Sequence, residues 1–150
     1  MTAIATRVSQ PEICATWAHA GLAEDHLVYE GTDGWVYAAG IRCEIVLTAS
    51  EVRVTSYDTD GRAQARTAGY SVRPAQALEE ALAGLDLDDW RVYGWIGFDF
   101  CAPFHGATDH LDDDDELAHL FVPEFEAFVD HSGDLRFVGV DPELETRMRS

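Results

Sequence analysis

The period of the apolar residues changes several times along the chain, and each change marks an element. Ser9-Gln-Pro-Glu12 has the order of a capping box, with Ser at the cap and Glu three residues on. It predicts a helix through Ile13, Trp17 and Ala20 that stops near Gly21, with Trp17 as its anchor on a sheet. The period then shortens to two. Strands are expected at Leu27–Glu30, Trp35–Gly40, Cys43–Thr48 and Val52–Tyr57, with turns at Thr32–Gly34 and Ala49–Glu51. A turn at Asp58–Gly61 leads to a more polar strand over Arg62–Thr67. Short turns between consecutive strands imply antiparallel pairing, with one face free to meet water. Helical spacing returns at Pro74–Leu85: Ala77, Leu78, Ala81, Leu82 and Leu85 form one stripe, and Glu79 and Glu80 face away from it.

The longest apolar run, Trp90–Phe100, is the stretch around which a core would be organised. Read as a strand, it places Val92, Gly94, Ile96, Phe98 and Phe100 on one side and Arg91, Tyr93, Trp95, Gly97 and Asp99 on the other. The first side is expected in the core, and the second suits an interface or a pocket wall. Gly94 and Gly97 leave room for another backbone or a ligand. A turn at Cys101–Gly106 and an acidic loop at Asp109–Glu116 follow. Phe121–Val129 and Leu135–Val140 then read as a hairpin around Ser132-Gly133, and Asp141-Pro-Glu143 opens a last helical turn. The expectation is one α+β domain over residues 1–150: a mostly antiparallel sheet of about six to eight strands, with two or three helices packed on one side.

Charge narrows the partners. There are 28 acidic residues against 10 basic ones, every basic residue is arginine, and the net charge is −18. Such a field repels phosphate, so nucleic acid and anionic membrane surfaces are not expected partners. A cationic ligand or a basic protein fits, as does plain solubility. Cys14, Cys43 and Cys101 are widely spaced with no metal pattern, which is usage typical of a reducing compartment. With no apolar signal core and no run long enough to span a bilayer, a cytoplasmic protein is expected.

Candidate chemistry gathers near the long apolar run. A carboxylate at Asp99, if desolvated there, would have a raised pKa and serve as a general acid or base. The structural alternative, in which Asp99 pairs with Arg91 or caps the following turn, stands ahead of it. Arg91, Tyr93, Trp95 and His105 are the candidate ligand-binding residues around it. His105 and His110 flank the turn but lack the further ligands of a zinc site. The run His110–Glu116 offers oxygen ligands for a cation, yet lacks the alternation and turn glycine of a calcium loop, and it reads first as a solvated loop. Tyr29, Trp35, Tyr37, Tyr57, Tyr93 and Trp95 fall on strands, either lining an aromatic cavity or packing as core.

The order of these pieces resembles the N-terminal region of salicylate synthases, members of the chorismate-utilising family with isochorismate and anthranilate synthases. The likeness rests on Leu27-Val-Tyr-Glu30, Trp35–Ile41 with Glu44–Leu47, the helix from Pro74, Tyr93-Gly-Trp-Ile-Gly-Phe-Asp-Phe100, Phe121–Phe128 and Leu135–Val140. The resemblance implies the fold of that N-terminal region. It carries over no catalytic residue, because the family's base lysine, general-acid glutamate and magnesium-binding glutamates lie in the C-terminal part, and this chain has no lysine at all. No cofactor is therefore expected for the chain alone, and magnesium only if a catalytic partner completes it.

Three functions stay open on this reading. The first is a partner or accessory subunit in siderophore or aromatic natural-product biosynthesis, its apolar face covered by a catalytic chain. The second is a stand-alone enzyme, as a homodimer, acting on an aromatic amine such as a tryptophan derivative. A Pictet–Spengler-type cyclisation with a buried Asp99 as acid and base is one example. The third is a non-catalytic module that binds a small aromatic ligand.

Overall fold

A computed structural model describes residues 8–70 and 73–150. The chain divides into two compact units. Unit 1 joins the residues up to Gly40 to Glu124–Ser150, and unit 2 is Ile41–Pro123. The α+β class expected from the pattern is present. All strand pairings are antiparallel, but they form two sheets, each with its own helices, rather than one.

Unit 1 is a four-stranded sheet with helices α1 (Gln10–His19) and α3 (Pro142–Arg149). Its strands are β1 (His26–Gly31), β2 (Gly34–Ala39), β8 (Phe125–Asp130) and β9 (Leu135–Val138), in the order β1-β2-β8-β9. Helix α1 begins as the capping box predicted: the Ser9 N–H donates to the Glu12 carboxylate at 2.8 Å. Trp17 anchors it, meeting Tyr37 edge-on at 5.8 Å between ring centroids. The Trp17 indole N–H donates to the Met148 carbonyl at 2.9 Å, which ties α1 to the last turn of α3. Alternate residues Tyr37, Ala39, Phe125, Ala127 and Val129 supply the sheet side of this core. The final helical turn expected at Asp141 is a full helix, because the Asp141 carboxylate caps it by accepting from the Leu144 N–H at 2.8 Å.

Unit 2 is a five-stranded sheet in the order β5-β4-β3-β7-β6, with helix α2 (Pro74–Ala83) on one face. The strands are β3 (Cys43–Thr48), β4 (Glu51–Tyr57), β5 (Ala63–Gly69), β6 (Tyr93–Ile96) and β7 (Glu116–Val122). Cys43, Ile45, Leu47, Val54, Ala118, Leu120 and Val122 meet Ala77, Leu78 and Ala81 of α2. The β3–β7 register shifts at Leu47/Thr48. That irregularity lets consecutive residues Leu117 and Ala118 both be buried.

Two expectations are corrected here. The run Phe121–Val129 is not one strand. It breaks at Pro123, whose nitrogen has no hydrogen to donate, and its halves β7 and β8 lie in different sheets. Nor is Trp90–Phe100 one continuous strand. Only Tyr93–Ile96 pairs, and it pairs at the sheet edge; Phe98–His105 is a 3-10 helix, closed by the left-handed Gly106. The expected burial of Ile96 and Phe98 fails with it, since they are 54% and 96% exposed. Gly94 is required where it stands. Its φ is +145°, and a Cβ there would lie 2.1 Å from the His119 carbonyl oxygen.

Burial has a chemical cost in unit 1. It pushes the Cys14 thiol up to about 11 and raises the neighbouring Tyr37 phenol as well. Tyr37 is fully buried, and its hydroxyl has no hydrogen-bond partner among the described residues. An orphaned buried hydroxyl costs about 1 kcal/mol or more. Tyr37→Phe is therefore expected to raise the unfolding free energy by about 1 kcal/mol in urea titration. A loss of that size would mean that the hydroxyl is satisfied.

Candidate functional site

The residues with chemical potential in unit 2 sit on the sheet face opposite α2, and strand alternation puts them there. Glu44 lies between buried Cys43 and Ile45, and His119 between buried Ala118 and Leu120, so both point away from the core. The β3–β7 register makes them diagonal neighbours, Glu44 facing Phe121 and Val46 facing His119. The result is a short contact, His119 Nε2 to Glu44 Oε1 at 2.6 Å. On its other side, His119 Nδ1 lies 3.7 Å from Glu116 Oε2. Both imidazole nitrogens thus face a carboxylate. An imidazole held this way can pass a proton to or from a bound molecule.

Edge strand β6 completes this face with aromatics. Tyr93 pairs with Phe121, with ring centroids 6.3 Å apart, and Trp95 pairs with His119 at 6.4 Å. Trp95 remains 46% exposed. Tyr93 and Trp95, two of the residues singled out in sequence, therefore belong to one surface. Arg91 stands just before it, exposed.

Asp99 and His105 lie elsewhere, on the 3-10 helix. Asp99 Oδ1 meets His110 Nε2 at 2.9 Å, with both side chains about half exposed. Asp99 is thus not the desolvated carboxylate of the acid–base reading; it holds the structural role of pairing, with His110 as the partner seen, on the first turn of the 3-10 helix. His105 is exposed and stands edge-on to Phe104 at 5.1 Å. In the acidic loop, the Asp115 carboxylate accepts from the Asp112 N–H at 2.8 Å, so it serves its own turn. No group of three or more His, Cys, Asp or Glu able to hold a metal is found among the described residues, and these residues do not by themselves make a magnesium site.

Unit 1 has a groove of its own. It encloses about 450 Å³ and is lined by Tyr29, Trp35, Phe128 and Arg136, among others. Two of the aromatics considered for a cavity, Tyr29 and Trp35, line it, whereas Tyr37 is core. The Arg136 guanidinium lies over the Phe128 ring at 4.0 Å.

His119 and Glu44 were not singled out from sequence as candidate chemistry, and Glu116 entered only as the last residue of the acidic run His110–Glu116. Their signal was a polar residue in the off phase of an apolar strand, which is ordinary for a solvated face. Only the pairing of β3 with β7, distant in sequence, turns two such residues into a pair.

No protein-family model matches the chain. A stretch of 100 residues is 36% identical to the salicylate synthase of Mycolicibacterium paratuberculosis (strain ATCC BAA-968 / K-10). The stretch is 67% of this chain and 21% of that protein. The chain thus carries a region similar to part of a chorismate-utilising enzyme and spans about a fifth of the relative's length. Among the described residues, no helix is long and apolar enough to cross a membrane.

Half-exposed ion pairs contribute up to about 1 kcal/mol. Asp99→Asn should therefore move the urea-unfolding free energy by less than about 1 kcal/mol. A loss of several kcal/mol would show that Asp99 is a structural keystone instead.

Proposed function

We propose that this chain is a salicylate-synthase-like N-terminal domain in siderophore or aromatic natural-product biosynthesis, unable to convert chorismate alone and completed by a catalytic partner chain. One observation carries the reading. A 100-residue stretch is 36% identical to a salicylate synthase, and here the segment Trp95, Ile96, Phe98 and Phe104 stands exposed. Exposed aromatics grouped in one segment are the mark of a surface that is covered in use. The chemistry agrees. The chain has no lysine to act as the family's base, and at −18 it repels dianionic chorismate unless a partner supplies magnesium and cationic groups.

The test is complementation. The M. paratuberculosis salicylate synthase, lacking its matching 100 residues, is mixed with this chain, magnesium and chorismate, and salicylate is followed by fluorescence. Neither part alone should turn over, and the mixture should. Turnover by this chain alone, or a mixture as inactive as its parts, contradicts the proposal.

A second reading draws on the Glu44–His119 pair beside Trp95: a stand-alone enzyme acting on an aromatic amine, with this pair, rather than the half-exposed Asp99, moving the proton. A rise in Tm with tryptamine that Glu44→Gln removes would support it, and no shift with tryptamine would end it.

A further inference from the structure

We propose that the free edge of β6 is a strand-addition site, and that its occupant is an extended segment of another protein, apolar on one side and cationic on the other. The inference deepens the partner reading above by naming the chemistry of the partner, and it is tested separately from it.

The backbone argument comes first. Gly97 N–H donates to the Leu117 carbonyl at 2.8 Å, and β6 pairs with β7 through Tyr93↔Phe121, Gly94↔Leu120, Trp95↔His119 and Ile96↔Ala118. In an antiparallel ladder, hydrogen-bonded and non-hydrogen-bonded pairs alternate. Tyr93 and Trp95 therefore turn their N–H and C=O groups toward β7, while Gly94 and Ile96 turn theirs outward. Gly94 and Ile96 are both exposed, and among the described residues no strand pairs with this edge. Open edges of this kind template a further strand.

The side chains separate this edge from the other one. Strand β5, the opposite edge of the same sheet, is small and polar, with Gln64, Arg66 and Thr67. That is how an edge is protected from pairing. Strand β6 lacks such protection: Trp95 is 46% exposed, Ile96 54%, and Phe98, just beyond the strand, 96%.

Charge chooses the occupant. Exposed Asp88 and Asp89 precede β6, half-exposed Asp99 follows it, and exposed Asp109, Asp112, Asp113 and Asp114 lead toward β7. A second copy would bring the same acidic residues and another charge of −18 to this edge. A strand carrying Arg or Lys beside its apolar residues meets the opposite situation, with attraction on approach and apolar cover for Ile96 and Phe98.

The experiment is amide hydrogen exchange on the 150-residue chain with defined peptides. The probes are a twelve-residue peptide alternating valine and arginine, and a control alternating valine and glutamate. The arginine peptide should slow exchange at the Gly94 and Ile96 amides by about tenfold or more, and the glutamate peptide should leave them unchanged. Ile96→Pro deletes one outward donor and spares the β7 ladder, so it should abolish protection at Gly94 while Trp95 stays protected. Phe98→Ser, which touches no core, should weaken binding of the peptide.

Three results overturn the proposal: binding of the arginine peptide while the edge amides exchange at their free rate, equal protection by both peptides, or concentration-dependent protection without any peptide, which would make a second copy the occupant. The outcome is separable from that of complementation. Complementation that survives Ile96→Pro would sink the edge and leave the half-enzyme, whereas edge protection without complementation would do the reverse.

Discussion

Strand β7 holds unit 2 together through two ladders, and the placement of every candidate residue there depends on them. On one side it pairs with β3, bringing Glu44 to His119 across 75 residues of sequence. On the other it accepts β6 so closely that Gly94 has no room for a side chain. Its irregularity near Leu117 turns an extra apolar residue into the core. The exposed aromatics and the outward amides of β6 are consequences of the same pairing, because β7 is where the sheet gains its last strand.

Much of this was legible in the chain itself. The capping box at Ser9, the stripe of α2, the β1–β2 and β8–β9 hairpins and the β3-β4-β5 meander all follow from local patterns, and local patterns are what one sequence contains. Two long-range features were not legible. Phe121–Val129 has continuous strand character, and only Pro123 hints that its halves serve two sheets. Trp90–Phe100 has the composition of a buried strand, yet Gly97 ends it, and Phe98 and Phe104 turn outward while Phe100 stays against the core. Hydrophobicity told that these residues need cover, but not whether this chain provides it.

The candidate site divides along the same line. Tyr93 and Trp95 were found because they alternate with apolar positions. Asp99 was grouped with them as part of the strand and His105 as part of the turn after it, and the 3-10 helix carries both. The Glu44–His119 pair was hidden because neither residue is unusual alone. A net charge of −18 repels acidic chains, and on the strand-addition proposal it restricts which partner can approach β6.

As proposed above, β6 is an uncovered edge that takes a strand from a different, complementary chain. Light scattering coupled to size-exclusion chromatography tests it most directly, on the chain alone at micromolar concentration and moderate salt. The expected result is the mass of a monomer, 16.6 kDa. A stable dimer at twice that mass would contradict it, because the exposed aromatics would then be covered by the chain's own copy.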